Sequence, residues 1–523
     1  MGKRRILWID DEINSFGSLV NLLEDDYEVV TAASGADGLE QFDAATFDLV
    51  ILDEQMPGMD GIQVLRELKE RKQSIPVIML TQSEDNKMAK AAVGLGIDEF
   101  KSKPAKAIDL MTSIQRLLDQ KAMMTDQMRQ ACNSLYMRVT GGIGDCRTFA
   151  DWAELYRQIV EKEVAAEEMS ASDIAELYAQ IRKEADAAFS KFVMANYENW
   201  FSAKPSDTKP DVFSHQILSK VVKPLLAAGE KVALVVIDNF RLDQWVLFQK
   251  FLEPEYNINT DLYCSILPTA TQFSRNAIFA GKMPQLIKKE TPQYWLDYAE
   301  KEESLNGSER ELLSFYFSRQ WPNKKCSYYK VGLGENSGEN YLEKFGGYKD
   351  NDLNAVVFSF VDALSHTASV SSVNRKLLGT DASYRSVTLS WLKHDVIKPI
   401  LDKMAANGYK IILTTDHGTI KAAKPVDVTG TGDINSNMRY KLDKNIVIKD
   451  KATLKKVLDI GKPANVGLPT RNPSDRFIFA TNDDFFVYPN NRNDFVNQFQ
   501  GSFQHGGISL EEMVLPLVTL TKK

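Results

Sequence analysis

Asp48-Leu49-Val50-Ile51-Leu52-Asp53-Glu54-Gln55-Met56-Pro57-Gly58-Met59-Asp60-Gly61 decides how the first part of the chain is read. An apolar run ends in an aspartate, and a Pro-Gly pair follows, which is the pattern of a strand, a carboxylate and a turn. Further short apolar runs lie at Ile6 to Ile9, Val77 to Leu80 and Ile97 to Phe100, with helical patterns between them. Strands alternating with helices predict a doubly wound α/β domain on a parallel sheet. Its chemical groups fall at the carboxyl ends of the predicted strands, where such sheets bind ligands. They are Asp10 and Asp11 after the first strand, Asp53 after the third, Thr81 after the fourth and Lys103 after the fifth. Converging carboxylates repel one another unless a hard cation such as Mg²⁺ lies between them. Carboxylates after strands also serve as helix caps, but five such groups in register on one topology exceed what capping needs.

In residue type and spacing, residues 1–119 resemble the receiver domains of response regulators, and Leu52 to Gly61 is similar to their phosphoacceptor loop. The resemblance implies that Asp53 accepts a phosphoryl group from a sensor histidine kinase. It also implies that Asp10, Asp11, Asp53 and the backbone carbonyl of Gln55 surround Mg²⁺. Thr81 and Lys103 would hold the phosphoryl oxygens, and Phe100 would be the aromatic switch residue. Such domains form homodimers on phosphorylation, here through a face carrying Lys87, Lys90, Asp98 and Arg116.

Residues 120–205 change to Ala, Glu, Lys, Gln and Met, with apolar spacing of three and four at Trp152, Leu155, Tyr156 and Ile159. This predicts a helical bundle module. It acts as a lever or dimer surface, or it simply closes its own bundle. No short helix-turn-helix pattern with a basic second helix is present, so duplex DNA reading is not expected. Ser202 to Pro210, with two prolines among small polar residues, is the best linker candidate. In residues 206–523, Val232 to Ile237, Ala355 to Val361 and Lys410 to Thr415 are near-continuous apolar runs. Such runs predict strands of a second parallel sheet, buried on both faces.

Three of the five histidines sit in short motifs: Asp362-Ala363-Leu364-Ser365-His366, Asp416-His417-Gly418 and His505-Gly506-Gly507. Imidazole and carboxylate together suit zinc better than Mg²⁺ or Ca²⁺. A single Asp-His-Gly is more often a turn or a cap. His215 and His394 lie outside these motifs and read as structural or exposed.

The order of these motifs resembles that of the alkaline phosphatase superfamily, and Ser509 to Pro516 is similar to the tail of its PglZ domains. The resemblance implies two Zn²⁺ ions, one held by Asp362, His366 and His505 and the other by Asp238, Asp416 and His417, with Thr271 reaching the second. Thr271 is the implied nucleophile on its distance from Gly281, with Thr269 competing. Arg275 and Asn276 are candidates to cradle phosphate, or are polar residues satisfied in the core or at the surface.

With 523 residues the chain has room for about three domains. A formal charge of -8 argues against wholesale binding of duplex nucleic acid. Four scattered cysteines without CxxC spacing fit a reducing compartment. No secretory signal follows Met1 to Arg5 and no apolar run approaches the ~18 residues of a membrane span, so a cytoplasmic protein is expected. The functional expectation is a two-component response regulator whose output is a zinc-dependent phosphodiesterase acting on nucleotides or short oligonucleotides. A receiver, a helical segment and a PglZ domain in this order resemble regulators of type IX secretion. The alternative is a phosphorylation-controlled scaffold with structural metals, acting through contact with a sigma factor or a secretion component. An intact ligand set with a threonine in the nucleophile slot favours the enzyme.

Overall fold

The computed structural model describes residues 3–72, 74–82, 92–142, 146–169, 171–297, 305–334, 336–370, 372–430, 437–448 and 454–523. The chain divides into two compact units, one of residues 1–137 and 162–178, the other of 138–161 and 179–523.

In the first unit, β1 (Arg4–Ile9), β2 (Tyr27–Ala32), β3 (Leu49–Asp53), β4 (Val77–Thr81) and β5 (Glu99–Ser102) form a parallel sheet in the order β2-β1-β3-β4-β5. Period-two alternation sends the side chains of each strand to opposite faces. Leu7, Ile9, Val50, Leu52 and Met79 pack with Phe42, Val64 and Leu68 on one face. Trp8, Ile51, Ile78 and Leu80 pack with Leu23, Leu110 and Ile114 on the other. Helix α1 spans Gly17–Glu24. Helix α2 (Gly35–Ala44) starts where the Ser34 hydroxyl accepts from the Asp37 amide, and α3 (Gly61–Arg71) starts with an Asp60/Gln63 capping box. The last strand lies two residues later than Ile97 to Phe100, because its pairing starts with Ile78 opposite Glu99.

Helix α4 runs without a break over Ala107–Gly142, so the expected boundary between residues 119 and 120 falls inside it. It is followed by α5 (Phe149–Glu168) and α6 (Ser172–Trp200). Trp152, Leu155, Tyr156 and Ile159 are all buried, as their spacing requires. In the second unit Trp152, Phe189, Phe192 and Trp200 form a run of aromatic contacts. The Ser202 to Pro210 segment is tied down rather than free: the Thr208 hydroxyl accepts from the Trp200 indole at 3.0 Å, and Pro210 is buried.

The second sheet contains β6 (Lys231–Ile237), β7 (Tyr256–Cys264), β8 (Cys326–Val331), β9 (Leu353–Phe358), β10 (Tyr409–Thr414) and β11 (Val514–Lys522). Its order is β7-β11-β10-β6-β9-β8. The three apolar runs seen in the sequence are the adjacent parallel strands β10, β6 and β9. The sheet is mixed rather than wholly parallel, because β11 runs antiparallel to both β10 and β7. The run from Ala355 ends as a strand at Phe358, and helix α8 (Phe360–Val370) then carries Asp362. Helix α7 (Thr271–Ala280) follows β7 and ends on left-handed Gly281.

Candidate functional site

Two constellations stand at the carboxyl ends of parallel strands. In the receiver unit, ligand atoms from Asp10, Asp11 and Asp53 lie within 4.8 Å of one another. Asp10 and Asp53 are buried, whereas Asp11 is exposed. Lys103 Nζ sits 2.9 Å from both Asp10 Oδ2 and Asp53 Oδ1. Burial pushes the Asp53 carboxyl above its ordinary range, with Lys103 opposing the rise. One ammonium against three carboxylates leaves a negative, all-oxygen cluster, which suits a hard divalent cation. The Thr81 hydroxyl donates to the Glu54 carboxylate, a partner that no local pattern announces. Phe100 is half-buried against the core, and Gln55 is exposed directly after Asp53-Glu54. Of the charges proposed for a dimer face, Asp98 pairs with Lys69 at 2.9 Å and Arg116 with Glu99 at 2.6 Å, both within the chain. Lys87 and Lys90 lie outside the described residues.

In the second unit the structure brings together the two trios read from the sequence. Ligand atoms of Asp362, His366 and His505 lie within 4.8 Å of one another, and so do those of Asp238, Asp416 and His417. The trios adjoin, since the His417 and His505 rings stack with centroids 4.1 Å apart. His366 Nε2 is 3.4 Å from Asp362 Oδ2 and His505 Nε2 is 3.8 Å from Asp362 Oδ1. His417 Nε2 is 3.8 Å from Asp238 Oδ1 and 3.6 Å from Asp416 Oδ2. Burial opposes the charge on Asp362, but the imidazoles of His366, His505 and His417 hold its carboxyl well below the usual range. Burial, then His417, pushes the His505 imidazole down to about 3. Burial also raises the Asp238 carboxyl, which Arg275 only partly offsets.

Whether this set suits a metal can be judged from its unused atoms. Asp238 Oδ1 and Asp416 Oδ2 are buried without a hydrogen-bond partner, a costly arrangement for a carboxylate unless a cation is bound there. Mixed nitrogen and oxygen donors in two adjoining trios fit a pair of zinc ions.

The two candidate nucleophiles are used differently. Thr271 Oγ1 lies 3.0 Å from His417 Nε2, in the first turn of α7, a helix whose N-cap Ala270 supplies no side-chain cap. Thr269 is fully buried, and its hydroxyl accepts from the Gly506 amide at 3.0 Å and donates to the Gly507 carbonyl at 2.8 Å. Thr269 therefore joins the nucleophile segment to the His505 loop.

The phosphate cradle expected at Arg275 and Asn276 does not match their placement. Arg275 is buried and faces inward: it pairs with Asp238, its Nε donates to Glu309 Oε1 at 2.5 Å, and its Nη1 lies 3.7 Å from Asp416 Oδ2. Asn276 is buried, and its amide donates to the Leu305 carbonyl at 3.3 Å. The carboxylates of Asp238, Glu309 and Asp416, which no local pattern announces, draw Arg275 in. His215 has a buried Nδ1 without a hydrogen-bond partner, and His394 is exposed.

Asn239 is a functional residue that the sequence reading missed. It takes a positive φ of 62° directly after Asp238. Its backbone amide donates to Asp416 Oδ1 at 3.3 Å, and its side-chain amide donates to Asp362 Oδ1 at 3.1 Å. One residue thus spans both trios. Asparagine tolerates left-handed backbone better than most residues, so an Asp-Asn pair ending a buried strand was the available signal.

Comparison with known proteins agrees with this division. The BREX system PglZ alkaline phosphatase-like domain matches residues 217–520, the response regulator receiver domain residues 6–115, and the PorX response regulator linker domain residues 122–201. The first match spans more than half of the chain, which belongs to the PglZ alkaline phosphatase-like family. The receiver, linker and PglZ domains, in that order along the chain, match a PorX-like response regulator.

Among curated relatives, the chain is 26% identical over 167 residues to the alkaline phosphatase synthesis transcriptional regulatory protein PhoP of Bacillus subtilis, covering 32% of this chain and 68% of PhoP. It is 32% identical to the transcriptional regulatory protein CiaR of Streptococcus pneumoniae, covering 22% of this chain and 51% of CiaR. It is 37% identical to the transcriptional regulatory protein GlrR of Escherichia coli, covering 23% of this chain and 28% of GlrR. The chain thus spans about half or less of the length of CiaR and GlrR. Among solved structures, a response regulator receiver domain protein from Clostridium thermocellum is 36% identical, with 23% of this chain and 98% of that one covered and a TM-score of 0.22.

Proposed function

We propose that the chain is a two-component response regulator in which phosphorylation of Asp53 by a histidine kinase controls a zinc-dependent phosphodiesterase. The proposed domains are a receiver over residues 1–119, a helical module over 120–205 and the phosphoesterase domain over 206–523. The observation that carries the reading is the pair of adjoining trios with Thr271 Oγ1 at 3.0 Å from His417 Nε2. Bound zinc supplies Lewis acidity toward the phosphoryl oxygens and lowers the pKa of a hydroxyl beside it. Thr271, on the first turn of α7, would lose its hydroxyl proton to solvent and attack phosphorus as the bond to the leaving alkoxide breaks, and water would then cleave the phosphothreonine to release the monoester and restore the hydroxyl. Asn239 keeps Asp362 and Asp416 in register through its two donated hydrogen bonds. Thr269 fixes the Thr271 segment against the loop of His505. In the receiver, Asp10, Asp11, Asp53 and the Gln55 carbonyl would hold Mg²⁺, with Thr81 and Lys103 available to phosphoryl oxygens once the aspartyl phosphate forms.

The proposed substrates are nucleotides or short oligonucleotides, and the proposed setting is cytoplasmic regulation of type IX secretion. Among the described residues no helix is long and apolar enough to cross a membrane. The test is elemental analysis of purified protein together with hydrolysis of bis(p-nitrophenyl) phosphate and short RNA. About two zinc ions per chain are expected, falling to about one when His417 or His505 is replaced by Ala. Protein without zinc, or zinc-loaded protein inert on every diester, would overturn the reading.

A further inference from the structure

Helix α6 runs over Ser172–Trp200, and its residues from 179 onward belong to the same unit as the two trios. Arg182, Asp186, Ser190 and Tyr197 are buried along it at spacings of four, four and seven, which places them on one face. A polar face this deeply buried is costly unless each group has a partner. Each does, and the partners lie beside the phosphoesterase site in the chain or, in the case of Asp381, bond onward to a residue that does.

The Tyr197 hydroxyl accepts from the Leu267 amide at 2.7 Å, four residues before Thr271. Ser190 donates to the Ile508 carbonyl at 3.3 Å, and Asp186 Oδ1 accepts from the Leu510 amide at 2.7 Å, both just after His505. Arg182 donates to Glu511 Oε1 at 2.7 Å and to Asp381 Oδ2 at 2.8 Å. The backbone of Glu511 in turn packs against Gly418, next to His417, so closely that a side chain at Gly418 would collide with the Glu511 carbonyl. Asp381 Oδ1 accepts from Arg241, three residues after Asp238, at 2.8 Å. One helix face therefore bears on the segments of Thr271, His505, His417 and Asp238.

We infer that this face of α6 positions the phosphoesterase site, with Tyr197 fixing the turn that presents Thr271 and Asp186 with Ser190 fixing the loop that presents His505. The inference rests on the reading of the site as a zinc phosphodiesterase. None of the four residues touches the reacting atoms, so they are positioning residues. Outer partners of this kind are typically worth about 10- to 100-fold in activity or metal affinity.

The test uses the full chain, with zinc affinity measured by competition against a chromogenic chelator, turnover of bis(p-nitrophenyl) phosphate, and thermal unfolding. Tyr197→Phe should lower kcat about tenfold, with KM and zinc affinity within about twofold of wild type. Asp186→Ala should weaken zinc binding about tenfold, and Asp186→Asn, whose amide oxygen can still accept from Leu510, should restore it. Ile159→Ala, a cavity variant on α5 rather than on this face, supplies the comparison: it should lower Tm while leaving kcat and zinc affinity unchanged. If Tyr197→Phe and Asp186→Ala change only Tm, as Ile159→Ala does, the face is merely structural and the inference fails. Wild-type protein that holds no zinc and turns over no diester would defeat the proposed function itself, and this inference with it.

Discussion

At the carboxyl end of the receiver sheet, Asp10 and Asp53 share the ammonium of Lys103, and Asp11 lies open to solvent. At the corresponding end of the second sheet, Asp238 and Asp416 are buried with His417, and the positive group nearest to them, Arg275, is shared with Glu309. Both clusters arise from the same topological cause, the convergence of strand ends in an open α/β sheet. They differ in donor chemistry and access. An all-oxygen, half-open cluster with its own lysine suits a cation that comes and goes with a phosphoryl group. The buried trio of Asp238, Asp416 and His417, with its unused lone pairs, suits an ion that stays, whereas exposed His366 leaves the trio of Asp362, His366 and His505 open to solvent.

The contrast breaks most readily at the nucleophile. Thr271→Ala should reduce diester turnover about a thousandfold or more, with zinc still at about two ions per chain because the six other ligands remain. Thr269→Ala should cost less, about tenfold, since its hydroxyl acts only through the joined loops. If Thr269→Ala proves the more severe in kcat with zinc retained, the assignment of the nucleophile is reversed.

Chelation sharpens the difference in ion retention. Brief exposure to EDTA followed by desalting should abolish beryllofluoride uptake at Asp53 until Mg²⁺ is returned, while elemental analysis still finds about one zinc ion per chain, held by the buried trio of Asp238, Asp416 and His417. Simultaneous loss from both sites would show that they are not distinguished in the way their donors suggest.

A smaller effect lies outside both clusters. Burial, then Lys209 and Lys220, lowers the His215 imidazole from 6.5 to about 4. The folded state thus binds a proton less readily than the unfolded one, so the stabilisation is complete above pH ~6.5 and is lost as pH falls toward ~4. Urea unfolding at a series of pH values should show this decline, and His215→Phe should flatten it. An unchanged slope in that variant would assign the decline to other groups.

The sequence made the strand-end chemistry legible because strand periodicity and a terminal carboxylate are local signals. Asp53, Asp362 with His366, and Asp416 with His417 could all be read within a few residues of a recognisable strand. What escaped depended on distant partners. Arg275 and Glu309 are 34 positions apart, and Arg182 meets Glu511 across 329; no window on the chain contains either pair. The unbroken α4 escaped for the opposite reason: composition changes near residue 120, but the helical period does not, so no local signal separated a change of domain from a break in the helix.

The position of β11 inside the sheet bears on how the molecule is made. Among the described strands this one, Val514–Lys522, comes last in chain order, yet it lies between β10 and β7 and hydrogen-bonds to both. During synthesis on the ribosome, β7 and β10 each wait with an unpaired edge until these residues emerge, and such edges invite pairing with other chains. The segment carrying His505 leads into the same strand, so the two trios are brought together only once β11 has entered the sheet. A nascent chain stalled before Val514 therefore leaves both edges open and is an aggregation hazard.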